Sequence, residues 1–195
     1  VANRPANNIP SGTIRPISPE EHILGKVNAD IVIVEYSDTE CPFCKQFHNT
    51  LKEVIRTRGS EIAWVYRHFP IPALHAKAQK EAEATECAWE QGGNTAFWKY
   101  IDRMFEITPS NDGLPEAELM NIAQYVGLNA SQFYTCLESG KYKAKIDAEV
   151  ADAKKIQVSG TPMSFILKNG EIVGVIPGSQ PIAEVYRLLD EAKKK

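Results

Sequence analysis

The hydrophobic positions change period along the chain, and each change predicts a different element. Residues 31–34 form an uninterrupted β-branched run, which is typical of a strand buried on both faces. From Cys44 onward, apolar residues recur every three or four positions, which predicts an amphipathic helix over residues 42–58. A second apolar run, residues 62–69, ends at Pro70 and predicts a second strand. Strand, helix and strand in this order predict a βαβ unit with parallel strands and a right-handed crossover.

The helical period then persists over residues 74–153, where capping residues divide it. Asn94 and Asn129 suit helix N-caps, and Gly140 suits a helix end. A simple crossover needs only one helix, so the pattern predicts a helical insertion over residues 73–156. The apolar stripes of the five predicted helices contain Leu74, Ala78, Ala82, Thr85 and Trp89; Phe97, Trp98, Ile101, Met104 and Phe105; Leu119, Ile122, Ala123 and Val126; Phe133, Cys136 and Leu137; and Ile146, Val150 and Ala153.

Strand signals return near the C-terminus. Residues 164–167 and 172–176 are apolar runs joined through Asn169 and Gly170, and Asn-Gly between apolar runs is a strong hairpin signal. The order βαβ, helical insertion, ββα therefore predicts an α/β fold. The apolar positions of a closing amphipathic helix are Ile182, Val185, Leu188 and Leu189.

Residues 1–25 are predicted to form an irregular N-terminal arm, because the segment begins with a stretch rich in Asn, Pro and Ser. Residues 18–21 have the form of a capping box, which predicts one helical turn before the first strand, with a chance match in a loop as the alternative. We expect residues 26–72 and 157–195 to form the α/β domain that carries the insertion of residues 73–156.

The composition is that of an ordinary globular protein, with 43% hydrophobic and 24% charged residues among 195. A net charge of -3 provides no basic surface for a nucleic acid, so we expect no nucleic-acid partner. No apolar run is long enough to span a membrane. The start at Val1 shows no signal-peptide pattern, so we expect that a signal or anchor segment has been removed or never existed.

The residues that carry chemistry are Cys41-Pro42-Phe43-Cys44, at the junction of the first strand and the first helix. Pro42 suits the first helical position, which places Cys41 at the helix N-terminus, where free amides and the helix dipole favour a thiolate. Cys44 follows one turn later, so the two Cα atoms lie about 5 Å apart, within the range that a disulfide bridges. The motif can therefore alternate between dithiol and disulfide.

The same spacing supplies half of a tetrahedral zinc site. A zinc ribbon needs a second close pair, whereas the other two cysteines, Cys87 and Cys136, are distant in sequence. A strand before and a helix after the motif favour redox chemistry over zinc. We expect no metal and no cofactor, and zinc binding stays the alternative.

The element order, with Cys-Pro-Phe-Cys at the first strand–helix junction and Gly-Thr-Pro before the hairpin, resembles the thioredoxin fold. The inserted helices narrow this resemblance to the DsbA-like thiol:disulfide oxidoreductases. The likeness covers nearly all of residues 22–192. The stretches that carry it are residues 32–36, 41–48, 66–70 and 160–162.

The resemblance implies roles for the whole motif. Cys41 matches the exposed nucleophile, which forms the mixed disulfide, and Cys44 matches the resolving cysteine. Pro42 and Phe43 match the dipeptide that tunes the stability of the Cys41 thiolate and borders the bound substrate. A stabilised thiolate favours the reduced form, which makes the disulfide a better oxidant.

The resemblance also implies that Pro162 is a cis-proline beside the disulfide. The backbone of Thr161 is then free to pair with an extended substrate chain. The sequence alone favours an ordinary trans-proline at a strand start, because cis is the minority form of X-Pro bonds.

Glu35 matches the acidic residue that the family keeps beneath its active site. Burial there raises its pKa, and the carboxyl group could relay the proton of Cys44. The alternative is an edge glutamate that faces water. His48, one turn after Cys44, could lend positive charge to the site, but we interpret it as a surface histidine, and His68 and His75 as structural.

Cys87 and Cys136 fall on the core stripes of two insertion helices. They form either a structural disulfide, as in some relatives of the family, or two buried free thiols. The even number of cysteines favours the bridge, and a bridge implies an oxidising compartment.

The resemblance implies a monomeric oxidoreductase, in the periplasm or anchored at the cell surface, that donates the Cys41–Cys44 disulfide to cysteine-containing secreted proteins. It also implies reoxidation by a quinone-linked membrane partner. An isomerase or reductase is an alternative, because isomerase-type relatives often carry Thr at the position of Thr161. A thioredoxin-like metal-binding module is the other alternative.

Overall fold

In the computed structural model, which describes residues 13–195, five strands form one mixed sheet. The strands are β1 (His22–Gly25), β2 (Ile31–Ser37), β3 (Ile62–His68), β4 (Met163–Lys168) and β5 (Glu171–Pro177). They lie in the order β1-β3-β2-β4-β5. β2 and β3 are parallel, and every other neighbouring pair of strands in the sheet is antiparallel. The predicted βαβ unit and the C-terminal hairpin are therefore confirmed.

Strand β2 occupies the middle of the sheet and leads into the motif. Glu35 pairs with Tyr66 of β3 on one side and with Ser164 of β4 on the other. Ile33 packs in the apolar cluster on one face of the sheet, and Val34 packs in the cluster on the opposite face. Burial on both faces explains the unbroken β-branched run in the sequence.

The helices of the described residues begin and end close to the predicted positions. They are α1 (Pro42–Arg58), α2 (Ala78–Ile107), α3 (Ala117–Tyr125), α4 (Ala130–Ser139), α5 (Lys143–Lys155) and α6 (Ile182–Lys193). Helix α1 has the predicted bounds, with Pro42 in its first turn and Gly59 after its end. Its buried residues, among them Phe47 and Leu51, face the sheet together with α6.

Helix α2 combines two helices that the sequence pattern separates. Gly92 and Gly93 have non-helical backbone angles and produce a kink, and Gly93 has a φ of +59°. The Asn94 side-chain oxygen accepts a hydrogen bond from the Ile23 backbone N–H at 2.9 Å and another from Trp98 Nε1 at 3.1 Å. Asn94 therefore joins α2 to strand β1.

Helices α2, α3 and α4 enclose an apolar cluster of their own, in which Tyr100 stacks on Phe133. A disulfide between Cys87 of α2 and Cys136 of α4 lies in this cluster, with Cα atoms 5.8 Å apart. The bridge spans a sequence separation of 49 residues. It therefore joins the first and third helices of the insertion covalently.

The N-terminal segment differs from the prediction. Residues 1–12 lie outside the described residues, so most of the predicted arm is not described. Residues 18–21 form a turn rather than the predicted helical turn. The predicted irregular arm over residues 1–25 is wrong at its end, because His22–Gly25 pairs with β3 as strand β1. The open edge of β3 supplies the hydrogen-bonding groups that fix this short segment.

We predict that the Cys87–Cys136 bridge stabilises the insertion. In a Cys41→Ser/Cys44→Ser background, replacing both bridge cysteines by Ala should lower the free energy of unfolding by about 3 kcal/mol, because the cross-link restricts the unfolded chain. Urea unfolding followed by circular dichroism measures this difference. Dithiothreitol should destabilise the bridged protein and leave the Ala variant unchanged. Equal stability of the two proteins would contradict the prediction.

Candidate active site

The local chain geometry places Cys41 at the start of α1. Cys41 is the N-cap residue, with an extended backbone, and its carbonyl accepts a hydrogen bond from the Lys45 amide at 3.1 Å. The first turn of α1 contains no acidic residue, and Arg56 and Arg58 lie in its last turn. The amides of the first turn therefore point toward a site where negative charge is favoured.

The Cys41 side chain is less accessible than the family resemblance implied. Only 6% of the residue is exposed, so the expectation of an exposed nucleophile is wrong for this structure. The carbonyl oxygen of Thr161 lies 3.5 Å from the Cys41 sulfur. Phe43, in contrast, is 61% exposed, two residues after Cys41.

The two thiols have opposite electrostatic environments. Hydrogen bonds from the Cys44 thiol, the Cys44 and Phe43 amides and the Thr161 side chain outweigh burial and lower the pKa of Cys41 to about 6. Burial raises the pKa of Cys44 well above its usual value. At neutral pH, Cys41 is therefore the thiolate of the pair and Cys44 is its protonated partner.

A proline loop forms the other wall of the site. The Thr161–Pro162 peptide bond is cis, and β4 begins at the next residue, Met163. The cysteine motif and the proline loop are far apart in sequence. They meet because β2 and β4 are neighbours in the sheet.

Glu35 lies beneath the cysteines and is fully buried, so the alternative of an edge glutamate facing water is wrong. Its Oε2 accepts a hydrogen bond from Trp64 Nε1 at 2.9 Å, whereas its Oε1 has no partner. Burial raises the pKa of Glu35 to about 8, and the nearby Cys41 adds to the shift. The carboxyl group therefore holds a proton at neutral pH.

His48 is buried rather than on the surface as predicted. Its Nε2 lies 2.7 Å from Asp102 Oδ1, and its ring packs against Trp64 and Phe105. The prediction failed because the insertion covers this side of α1. Burial lowers the pKa of His48, so the ring is neutral at neutral pH.

His68 and His75 are also buried, and each contacts a carboxylate. His75 lies against Asp38, in the turn that leads into the cysteine motif, and sequence reasoning assigned no role to Asp38. The available signal was an aspartate between a buried strand and a helix N-terminus, a position where side chains often bind nearby amides.

A second polar cluster lies away from the cysteines. His22, His68 and Glu86 bring their ligand-type atoms within 4.8 Å of one another, a donor set that suits zinc. Lys145 Nζ lies 2.5 Å from Glu86 Oε2, and His22 Nε2 lies 2.7 Å from Glu86 Oε1. The lysine satisfies the carboxylate and competes with a cation there. We therefore interpret the cluster as a buried ionic network that joins β1, β3, α2 and α5.

Comparison with known structures identifies the fold. DsbA2 from Pseudomonas aeruginosa superimposes with a TM-score of 0.75 at 27% identity, over 90% of this chain and 96% of that chain. BdbD from Bacillus subtilis superimposes with a TM-score of 0.79 at 18% identity, over 94% of this chain and 98% of that chain. A DsbA-like thioredoxin fold, as the sequence resemblance implied, is confirmed.

Curated relatives match this chain over part of their length. The Na(+)/H(+) antiporter NhaA 1 of Mycolicibacterium vanbaalenii is 31% identical over 156 residues, which cover 78% of this chain and 24% of that protein. NhaA 3 of Salinispora tropica is 34% identical over 152 residues, which cover 77% of this chain and 22% of that protein. This chain spans about a quarter of the length of these relatives. Within residues 13–195, none of the helices combines the length and apolarity needed to cross a bilayer.

The family comparison covers almost the whole chain. The family model described as Thioredoxin matches residues 18–191, which include both walls of the site. This match shows that the chain belongs to the thioredoxin family, and the superposition on the DsbA-type structures shows that its fold is the DsbA-like form.

Proposed function

We propose that the protein oxidises thiol pairs in secreted proteins by donating the Cys41–Cys44 disulfide. The observation that carries the proposal is the lowered pKa of Cys41, about 6, beside the raised pKa of Cys44. A thiolate that is stable in the folded protein stabilises the reduced form. The Cys41–Cys44 disulfide is then readily reduced, which makes it an oxidant of other thiols.

The proposed reaction has two exchanges. A substrate thiolate attacks the Cys41 sulfur, the Cys41–Cys44 bond breaks, and Cys44 leaves with the electron pair. A second substrate thiolate then attacks the substrate sulfur of the mixed disulfide, and Cys41 leaves as a stabilised thiolate. The substrate loses two electrons and two protons, and the protein gains the two electrons.

Glu35 is proposed to supply the proton that Cys44 needs when it leaves. The carboxyl group holds a proton because burial raises its pKa to about 8, and its unpartnered Oε1 is available for transfer. The charges of Glu35 and Cys44 interact, since Glu35 raises the pKa of Cys44. In the reverse direction, the same group accepts the Cys44 proton.

The substrate chain is proposed to bind along the proline loop. The carbonyl oxygen of Thr161 lies 3.5 Å from the Cys41 sulfur, the residue is partly exposed, and its backbone is proposed to pair with an extended chain. Pro42 and Phe43 are exposed on the other side of that sulfur. An apolar ring that is 61% exposed at a reactive site suits contact with unfolded chains.

We place this activity outside the cytoplasm, in a periplasm or at the cell surface. The Cys87–Cys136 bridge supports this location, because structural disulfides persist in oxidising compartments. Each turnover leaves the protein in the dithiol form, so it must be reoxidised, and we propose a membrane partner linked to quinones for this step. We also propose that the protein acts as a monomer.

We predict that the two active-site cysteines have different roles. When the oxidised protein meets a reduced, unfolded substrate, the wild type should form substrate disulfides and the Cys41→Ser variant should form none. With a substrate that already carries a disulfide, the reduced Cys44→Ser variant should accumulate a mixed disulfide, because Cys41 attacks the substrate disulfide and releases one substrate thiolate, and no Cys44 thiol is left to resolve the adduct. Non-reducing electrophoresis and mass spectrometry of the adduct measure these outcomes. Activity of Cys41→Ser, or an adduct at another cysteine, would contradict the proposal.

We predict that replacing Glu35 by Gln changes both the pH dependence of the free energy of unfolding and the rate of disulfide exchange. Folding takes up one proton at Glu35 between pH 4.5 and about 8, so the wild type should lose about 1.4 kcal/mol of stability per pH unit there, relative to Glu35→Gln. The Gln variant should also resolve mixed disulfides at least about tenfold more slowly at pH 7.

Urea unfolding of the oxidised proteins and quenched-flow exchange measure the two effects. Glu20→Gln, at an exposed position, is the matched control and should change neither. Parallel stability–pH curves for the wild type and Glu35→Gln would contradict the protonated state of Glu35. Unchanged exchange rates would contradict its role as a proton relay.

A further inference from the structure

The turn before the motif contacts both active-site cysteines through one residue. The Asp38 backbone N–H donates a hydrogen bond to the Cys44 sulfur at 3.4 Å. The Asp38 carbonyl accepts a hydrogen bond from the Cys41 backbone N–H at 3.2 Å. The position of Asp38 therefore fixes both sulfur-bearing residues relative to the end of β2.

The Asp38 carboxylate is buried and holds three groups. Its Oδ1 accepts a hydrogen bond from the Glu40 backbone N–H at 2.9 Å. Its Oδ2 accepts one from the Ile71 backbone N–H at 2.8 Å and lies 3.0 Å from His75 Nδ1. The carboxylate thus joins the turn before the motif to the loop that follows β3.

A buried carboxylate so close to the cysteines has an electrostatic cost. Its negative charge disfavours a second negative charge on Cys41 unless a cation neutralises it. Among residues 13–195, His75 is the basic residue that forms an ion pair with Asp38, and only 9% of the His75 side chain is exposed. His75 is therefore the available counter-cation.

The insertion holds His75 in place. The Asp112 carboxylate accepts hydrogen bonds from the backbone amides of Ala76 and Lys77, at 3.0 and 2.9 Å. Lys77 Nζ in turn donates to the carbonyl oxygens of Asp112 and Leu114. The residues that follow His75 are thus bound to the loop after α2, which keeps the imidazole beside Asp38.

The electrostatic surroundings of His75 favour its protonated form. Burial by itself lowers the pKa of His75, but the Asp38 hydrogen bond and the charges of Asp38, Cys41 and Asp112 raise it above the ordinary value. Glu81 of α2 lies against Glu40, and burial raises the pKa of Glu81 to about 9, so it is uncharged at neutral pH. The titratable and charged groups around the pair are Glu40, Cys41, Cys44, Tyr66, Lys77, Glu81 and Asp112.

We propose that His75 is a positioning residue for disulfide exchange: as an imidazolium it neutralises Asp38, so that the turn holding both cysteines does not oppose the Cys41 thiolate. This inference rests on the proposed function, because it concerns the thiolate that drives it. Since the ion pair lies between the motif turn and a loop fixed by the insertion, it also gives the insertion a direct influence on the redox site.

The test is a double-mutant cycle that removes the charges of Asp38 and His75 singly and together and measures the pKa of Cys41. His75→Gln keeps a hydrogen-bond donor for Asp38 and removes the cation, so the pKa of Cys41 should rise by about one unit, a tenfold loss of thiolate below that pKa. Asp38→Asn/His75→Gln removes both charges and should return the pKa of Cys41 to near the wild-type value. Asp38→Asn alone should leave it at or below that value. The thiolate absorbance near 240 nm, as the difference between reduced and oxidised protein, measures each titration.

His48→Gln is the matched control, because the buried His48 of α1 forms another His–Asp pair, with the partly exposed Asp102. Burial lowers the pKa of His48, so its replacement changes packing without removing a charge, and the pKa of Cys41 should not change. Thermal unfolding checks that each variant is folded.

An equal rise in the single His75→Gln and the double variant would show a structural effect and overturn the proposal, as would no rise in His75→Gln. A rise in Asp38→Asn alone would overturn it independently, even if His75→Gln does not fold. A wild-type Cys41 that titrates near 9 would instead contradict the proposed function, which distinguishes the two failures.

Discussion

The proposed chemistry depends on the interaction between the Cys41 sulfur and the amino end of α1. The Cys44 thiol and the backbone amides of Cys44 and Phe43 stabilise negative charge on this sulfur, and the first helical turn contains no acidic side chain that would oppose it. Negative charge at a helix N-terminus is stabilised by unpaired amides and by the helix dipole. Because the oxidised form has no thiolate at this position, this stabilisation is available only after reduction, and it favours the oxidising direction that we propose.

The rest of the fold maintains that interaction. Strand β2, paired on both sides, delivers the chain to the start of α1, and β4 brings Thr161 against the sulfur. The insertion contributes through the loop after α2, where the amides of Asn111 and Leu114 donate to the Glu40 carbonyl and carboxylate. The residue directly before Cys41 is therefore held by the insertion as well as by the sheet.

The sequence predicted what depends on neighbours along the chain and missed what depends on tertiary contact. Pro42 and the helical period located α1, and Asn169 with its following glycine located the hairpin. Strand β1 was missed because a four-residue edge strand is defined by its partner. The Asp38–His75 pair was missed because it joins residues 37 positions apart, and His48 was misassigned because the insertion covers it. The sequence predicted which cysteines are reactive, whereas the charged groups around them could be identified only from the folded structure.

The central claim is that the stabilised Cys41 thiolate makes the disulfide an oxidant. The redox equilibrium of the protein with glutathione, followed by trapping and counting of thiols at pH 7, tests it most directly. The stabilised thiolate predicts a reduction potential between about -180 and -120 mV, in the range of oxidising members of this fold. A potential near about -270 mV, as in reducing thioredoxins, would contradict it.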